Sequence, residues 1–285
     1  MGAAFFVWGR FLAVLFGLVE RTSVRFAVGL EYDGTAYAGW QTQQLGVPSI
    51  QHHAETAFGR VADSPVSLVC SGRTDAGVHA RLQVAHFETD AVRPLRGWVL
   101  GANTHLPRDI SVAWVVPVPA HFHARYSADS RTYRYVIFNR KVRSALVEKR
   151  AAHVHRPLDH ERMAAATAAL VGSHDFSAFR SSECQAKSPV RRLTRLIVER
   201  DGDFVAIEVT ANAFLHHMVR NIAGLLIAIG QGERAPGWAR QVLESRDRTS
   251  GHVTAPAEGL YFWNVEYPEV FGLPTRSAMI RPPLG

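Results

Sequence analysis

The sequence predicts an α+β fold built from two ferredoxin-like βαββαβ halves, whose antiparallel sheets join around a central cleft. Three observations carry this. Apolar residues alternate at strand period, helical spacing follows the first strand of each half, and the order β-α-β-β-α-β recurs. At 285 residues, 47% hydrophobic and 20% charged, the chain buries a sizeable core.

Residues 24–32 alternate, with Phe26, Val28, Leu30 and Tyr32 on one face, and stop at Asp33-Gly34. Ser49 is placed to cap a helix in which Ile50, Ala54, Phe58 and Val61 recur at helical spacing. Strands are expected at 66–70 and 83–88, a helix at 95–103 and a strand at 110–116. The second round reads as a strand at 131–138, a helix at 159–171, and strands at 192–199 and 204–210 joined by Asp201-Gly202. A helix at 214–229 and a strand at 260–265 complete it.

The expected organisation is an extension at 1–23, an N-terminal half at 24–120, a C-terminal half at 121–267 and a loosely ordered, Pro-containing tail at 268–285. Residues 1–19 are almost wholly apolar, but Arg10 interrupts them and they fall short of a membrane span or a secretory signal. The expectation is that translation begins near Val19 or Val24; a native mass that includes Met1 would refute it.

A net charge of +7 and a pI near 9.8 point to an anionic partner, and the predominance of Arg over Lys suits phosphate and base recognition. Arg-rich composition bias is the plainer explanation. Two cysteines, with no Cys-x-x-Cys pair, exclude a disulfide framework and fit a reducing cytoplasm; Cys70 reads as a small buried thiol. Fourteen histidines include His52-His53 and His216-His217, yet none has a strong zinc spacing, so surface or loop positions and no metal are expected. Neither a Walker A motif nor a dinucleotide fingerprint is present.

Chemistry concentrates in the segment from Cys70 to Ala80, where Arg73, Asp75 and His79 share a short loop with two glycines. Asp75 is there either a turn cap beside Gly77 or a nucleophile or general base beside a fixed cation. The apolar helix at 214–229 carries one polar stripe, His216, His217, Arg220 and Gly224. That stripe either meets solvent or meets the cleft, and then Asp75 is the partner of Arg220. Between residues 122 and 135, basic residues alternate with rings. This suits base stacking beside phosphate contacts, and it also describes an ordinary strand with Tyr133 and Tyr135 inward and Arg131 and Arg134 outward or at an edge.

Taken together, several motifs resemble the TruA-type tRNA pseudouridine synthases over residues 24–267. They are Glu31-Tyr32-Asp33-Gly34-Thr35, Gly39-Trp40-Gln41, Gly72-Arg73-Thr74-Asp75-Ala76-Gly77-Val78-His79-Ala80, Ala124-Arg125-Tyr126-Ser127-Ala128, and Arg131-Thr132-Tyr133-Arg134-Tyr135. Gly172-Ser173-His174-Asp175-Phe176, Asn212-Ala213-Phe214-Leu215 through Arg220-Asn221, and Ala255-Pro256-Ala257-Glu258-Gly259-Leu260 follow in order.

The resemblance implies the pseudouridine synthase fold and isomerisation of uridine to pseudouridine at positions 38, 39 and 40 of the tRNA anticodon arm, without metal or other cofactor. It implies Asp75 as the catalytic aspartate, Tyr133 packed on the target base, Arg220 paired with the aspartate, Arg73 holding the flipped nucleotide's place and Leu260 walling the base pocket. It also implies a cytoplasmic homodimer, with one tRNA reaching across both subunits and no membrane contact. The competing expectation is a non-enzymatic RNA-binding protein, in which an acid inside a cationic cleft would repel phosphate.

Overall fold

The structure, a computed structural model, describes residues 23–43, 46–251 and 253–274; residues 1–22 of the expected extension and residues 275–285 lie outside these. Alternation places β1 (Val24–Tyr32) with its apolar face against α1 (Ile50–Ala62) and α2 (Leu95–His105). Phe58 of α1, Trp98 of α2, Phe26 and Phe87 form a ring cluster in which Phe58 and Phe87 lie 4.9 Å apart. Ser49 caps α1 as expected, its hydroxyl accepting from the His52 N–H at 3.3 Å.

The first half continues through β2 (Val69–Cys70), β3 (His79–Thr89) and β4 (Ile110–Pro117). The second contains β5 (Ser130–Asn139), β6 (Ala152–Val154), α3 (His160–Thr167), β7 (Gly172–Asp175), β8 (Val190–Asp201) and β9 (Phe204–Ala211). It closes with α4 (Met218–Gly230), α5 (Trp238–Ser245) and β10 (Leu260–Glu266). One sheet runs β4-β1-β3-β10-β5-β9-β8-β7, with β2 on β3 and β6 on β5. Within it the orders β4-β1-β3-β2 and β10-β5-β9-β8 are each that of a ferredoxin-like unit.

The seam between the halves explains two departures from the expected strands. The edge of β3 away from β1 takes two partners: β2 at Ala85 and His86, and β10, running parallel, at His79 and Ala80. The strand expected at 66–70 is therefore cut to two residues, while the one expected at 83–88 begins at His79 to meet β10. The loop between these two pairings carries Asp75. The cores interlock across the same seam, Phe262 and Val265 packing into the first and Val78 into the second.

The helix expected at 159–171 is capped by Asp159 but ends at Thr167, where Leu170 N–H turns back to the Thr167 carbonyl and Gly172 takes φ +121°. Short β6, β7 and α5 escape sequence reading because none offers enough residues for a clear period. Residues 268–274 of the expected tail pack on the first half: Phe271 lies edge-on against Phe122 at 5.0 Å, and Leu273 also rests on the first core.

His86, on β3, is buried and accepts from the Ala124 N–H through Nδ1 at 3.1 Å. Burial, then the neighbouring His123 and Arg25, push it down from 6.5 to about 4. The unfolded chain thus takes a proton that the folded chain refuses. Stability present above pH 6.5 is lost as pH falls toward 4, by up to about 3 kcal/mol. Urea unfolding at both ends of that window checks this, and His86→Gln should flatten the dependence.

A candidate active site at the seam of the two halves

The conformation of the Asp75 loop is fixed from both flanks. At its start, the Ser71 N–H donates to Val84 O at 2.7 Å, and the Gln83 amide donates to Gly72 O at 2.6 Å. Further along, Trp40 N–H donates to Thr74 O at 3.0 Å, Gly77 N–H to Tyr37 O at 3.3 Å, and the Tyr32 and Thr74 hydroxyls share a bond of 2.9 Å. Gly39 has φ +95°, and a Cβ there would lie 2.4 Å from Thr74 O; at Gly34 a Cβ would lie 2.0 Å from Val78 O. Only glycine permits both approaches, so the segment around residues 32–40 is the floor on which the loop rests.

Arg131 corrects the outward reading of its strand position. It is buried, on the same face of β5 as Tyr133, and donates to the carbonyls of Ser71, Arg125, Ala128 and Asn212. One guanidinium thereby ties the loop's first turn to both halves, and its charge is spent on backbone oxygens rather than on phosphate. Arg131→Met should cost about 2–4 kcal/mol, because these carbonyls lose their donor. Thermal unfolding measures it. Arg134, on the opposite face, stacks over Trp263 at 5.0 Å.

The polar stripe of α4 meets the cleft. Arg220 Nη1 lies 3.4 Å from Asp75 Oδ2, while its Nε donates to Ala255 O at 2.8 Å. At Gly224 a Cβ would lie 2.1 Å from Val253 O, so the small residue lets the segment after α5 close over the helix. The helix begins at Met218 rather than at Phe214, because His217 is left-handed with φ 61°. That turn brings two consecutive imidazoles onto one carboxylate. His216 Nε2 is 3.3 Å from Oδ1 and His217 Nε2 is 3.3 Å from Oδ2. Burial pushes the His217 imidazole's pKa down, favouring its neutral form. The three contacts to Asp75 are longer than a tight charge-assisted bond of about 2.7–2.9 Å, and its side chain remains 29% exposed.

Tyr133 faces the same opening from β5, its ring edge-on to Phe214 and Phe262, each at 4.9 Å. Burial, then the charge of Asp75, pushes its phenol well above the ordinary range, so it stays protonated. Leu260 is buried opposite Tyr135; the cross-strand partner of Tyr133 is Phe262. Arg73 is exposed and forms no hydrogen bond or ion pair among the described residues. The fold thus brings Asp75, Arg220 and Tyr133 to one opening and leaves Arg73 at its rim. Sequence reading missed Phe214 and Phe262 as the walls around Tyr133, and it placed the two histidines on the stripe without their contact to Asp75.

A carboxylate offers about four lone-pair positions. Three are faced by His216, His217 and Arg220, which leaves an oriented, partly open oxygen beside an aromatic wall. Such an arrangement is suited to a carboxylate acting on a planar ring that stacks against Tyr133.

Comparison with known proteins identifies a family for the chain. The tRNA pseudouridine synthase family matches residues 30–127 and 166–268. The chain is similar to tRNA pseudouridine synthase A of Methylococcus capsulatus, at 55% identity over 88% of this chain and 92% of that protein. It is also similar to the protein of the same name from Pseudomonas aeruginosa, at 53% over 88% of each chain. For that from Cronobacter sakazakii the identity is 49%, over 94% of this chain and 96% of the relative. With the family match spanning both halves and the Asp75 loop, the chain belongs to the tRNA pseudouridine synthases, which are isomerases.

Proposed function

We propose that the chain isomerises uridine to pseudouridine at positions 38, 39 and 40 of the tRNA anticodon arm, with Asp75 as the catalytic carboxylate and no cofactor. The observation that carries this is the convergence of Arg220, His216 and His217 on one partly open carboxylate beside Tyr133. A turn cap has no need of three such partners.

Conversion moves the glycosidic bond from a ring nitrogen to a ring carbon and conserves every atom, so the chemistry asks for no oxidant or cosubstrate. The target base must leave its stack, at a cost of a few kcal/mol, and find a new ring to lie against. Tyr133, held by Phe214 and Phe262, supplies that surface, and Leu260 closes the apolar side of the pocket. Arg73, exposed at the rim, fills the place left by the flipped nucleotide. Asp75 then acts at the ribose, by attack on C1' or by removal of a ribose proton. Both routes need an ionised carboxylate in a fixed rotamer, and Arg220 fixes it. The basic surface binds the phosphates, and a homodimer offers one tRNA both subunits.

The test is pseudouridine mapping of unmodified tRNA transcripts that carry uridine at 38, 39 or 40, beside transcripts with the uridine moved outside the anticodon arm. Conversion confined to the first set is expected. Equal conversion elsewhere overturns the assigned positions, and binding without conversion favours the RNA-binding reading.

A further inference from the structure

The histidine pair at Asp75 has a second consequence, because consecutive histidines rarely point at one atom group. The left-handed backbone at His217 makes them do so, and Asp75, His216 and His217 each offer a ligand atom within 4.8 Å of the others. The two imidazole-to-carboxylate separations are both 3.3 Å. Ligands held about 2.0–2.1 Å from a tetrahedral zinc ion are separated by about 3.3–3.4 Å, which the His216 Nε2–Oδ1 separation matches; His217 Nε2 lies on the other oxygen and completes the set by a small shift within the 4.8 Å cluster. Two imidazoles and a carboxylate form a donor set that takes borderline divalent ions while leaving a fourth position open.

Access is available, since the three side chains are 29%, 33% and 26% exposed. Arg220 sits on Oδ2 and is anchored by Ala255 O, which leaves Oδ1 for an ion and weakens binding through its own charge. We propose that Asp75, His216 and His217 form an inhibitory site for a divalent transition-metal ion of the Zn²⁺ type. The ion occupies the carboxylate lone pair that isomerisation needs. The binding stands on geometry alone; the inhibition rests on the catalytic reading of Asp75.

The test titrates the full chain, free of tRNA, with Co²⁺ as a visible-absorbing probe and follows its displacement by Zn²⁺. One ion per chain is expected to give ligand-field bands, with affinity at least about tenfold weaker in Asp75→Asn and in His217→Gln. The double variant His52→Gln/His53→Gln, which alters a histidine pair away from the cleft, should bind like the parent. Zn²⁺ should also slow pseudouridine formation by the parent at least about tenfold, with recovery on chelation. Circular dichroism of each variant guards against misfolding. Absence of the bands, or bands unaffected by Asp75→Asn, overturns the site and leaves the role of Asp75 untouched. Metal binding without slowing overturns the inhibition, while loss of turnover in Asp75→Asn without metal reports on the catalytic reading separately.

Discussion

Asp75→Asn is expected to lower single-turnover pseudouridine formation by more than about a thousandfold while tRNA affinity stays within about threefold. The substitution keeps the shape of the side chain and its capacity to accept from Arg220. It removes the negative charge that either attack at C1' or proton removal requires. Affinity is spared because phosphate contacts lie on basic residues elsewhere, and an acid in that cleft opposes phosphate binding. A residual rate within about tenfold of the parent would refute the catalytic role.

Arg220→Ala carries the second large effect, on stability and rate together. Its guanidinium faces Asp75 at 3.4 Å and also donates to Ala255 O, so truncation leaves the carboxylate with only the two imidazoles and strands a carbonyl. Removing one partner of a fully buried pair costs about 3–5 kcal/mol. Asp75 keeps 29% of its side chain in solvent, which brings the expectation down to about 2–3 kcal/mol. For a chain of this size that is a fall in Tm of about 3–6 °C. Turnover should fall about a hundredfold, in kcat more than in KM, since the lost contact orients the reacting group. Arg220→Lys should recover part of the rate but little of the stability, because ammonium cannot serve both oxygens in the planar fork geometry. Parent-like melting and turnover in Arg220→Ala would mean that the pairing is inert.

The two βαββαβ rounds are legible in the sequence because strand and helix periods are local properties. The shortening of β2 is not, since it arises from competition between β2 and β10 for one edge of β3, far apart in the chain. Arg131 shows a similar limit. Its charge argues for an outward or edge position, and nothing local tells that four carbonyls, two of them from distant segments, converge on it inside the fold. The pairing of Asp75 with Arg220, 145 residues apart, is legible because an arginine inside an apolar helix demands an acid. The approach of His216 and His217 depends on a left-handed residue just before α4, a conformation that a non-glycine residue rarely takes and sequence period cannot reveal.

The measurement that bears most directly on the account is pseudouridine mapping of one unmodified tRNA transcript with uridines at 38, 39 and 40, incubated in parallel with the parent chain and with Asp75→Ala. Pseudouridine at those positions with the parent alone is the predicted result. Conversion by both proteins would contradict the role of Asp75, and salt-sensitive binding with conversion by neither would contradict the assigned reaction.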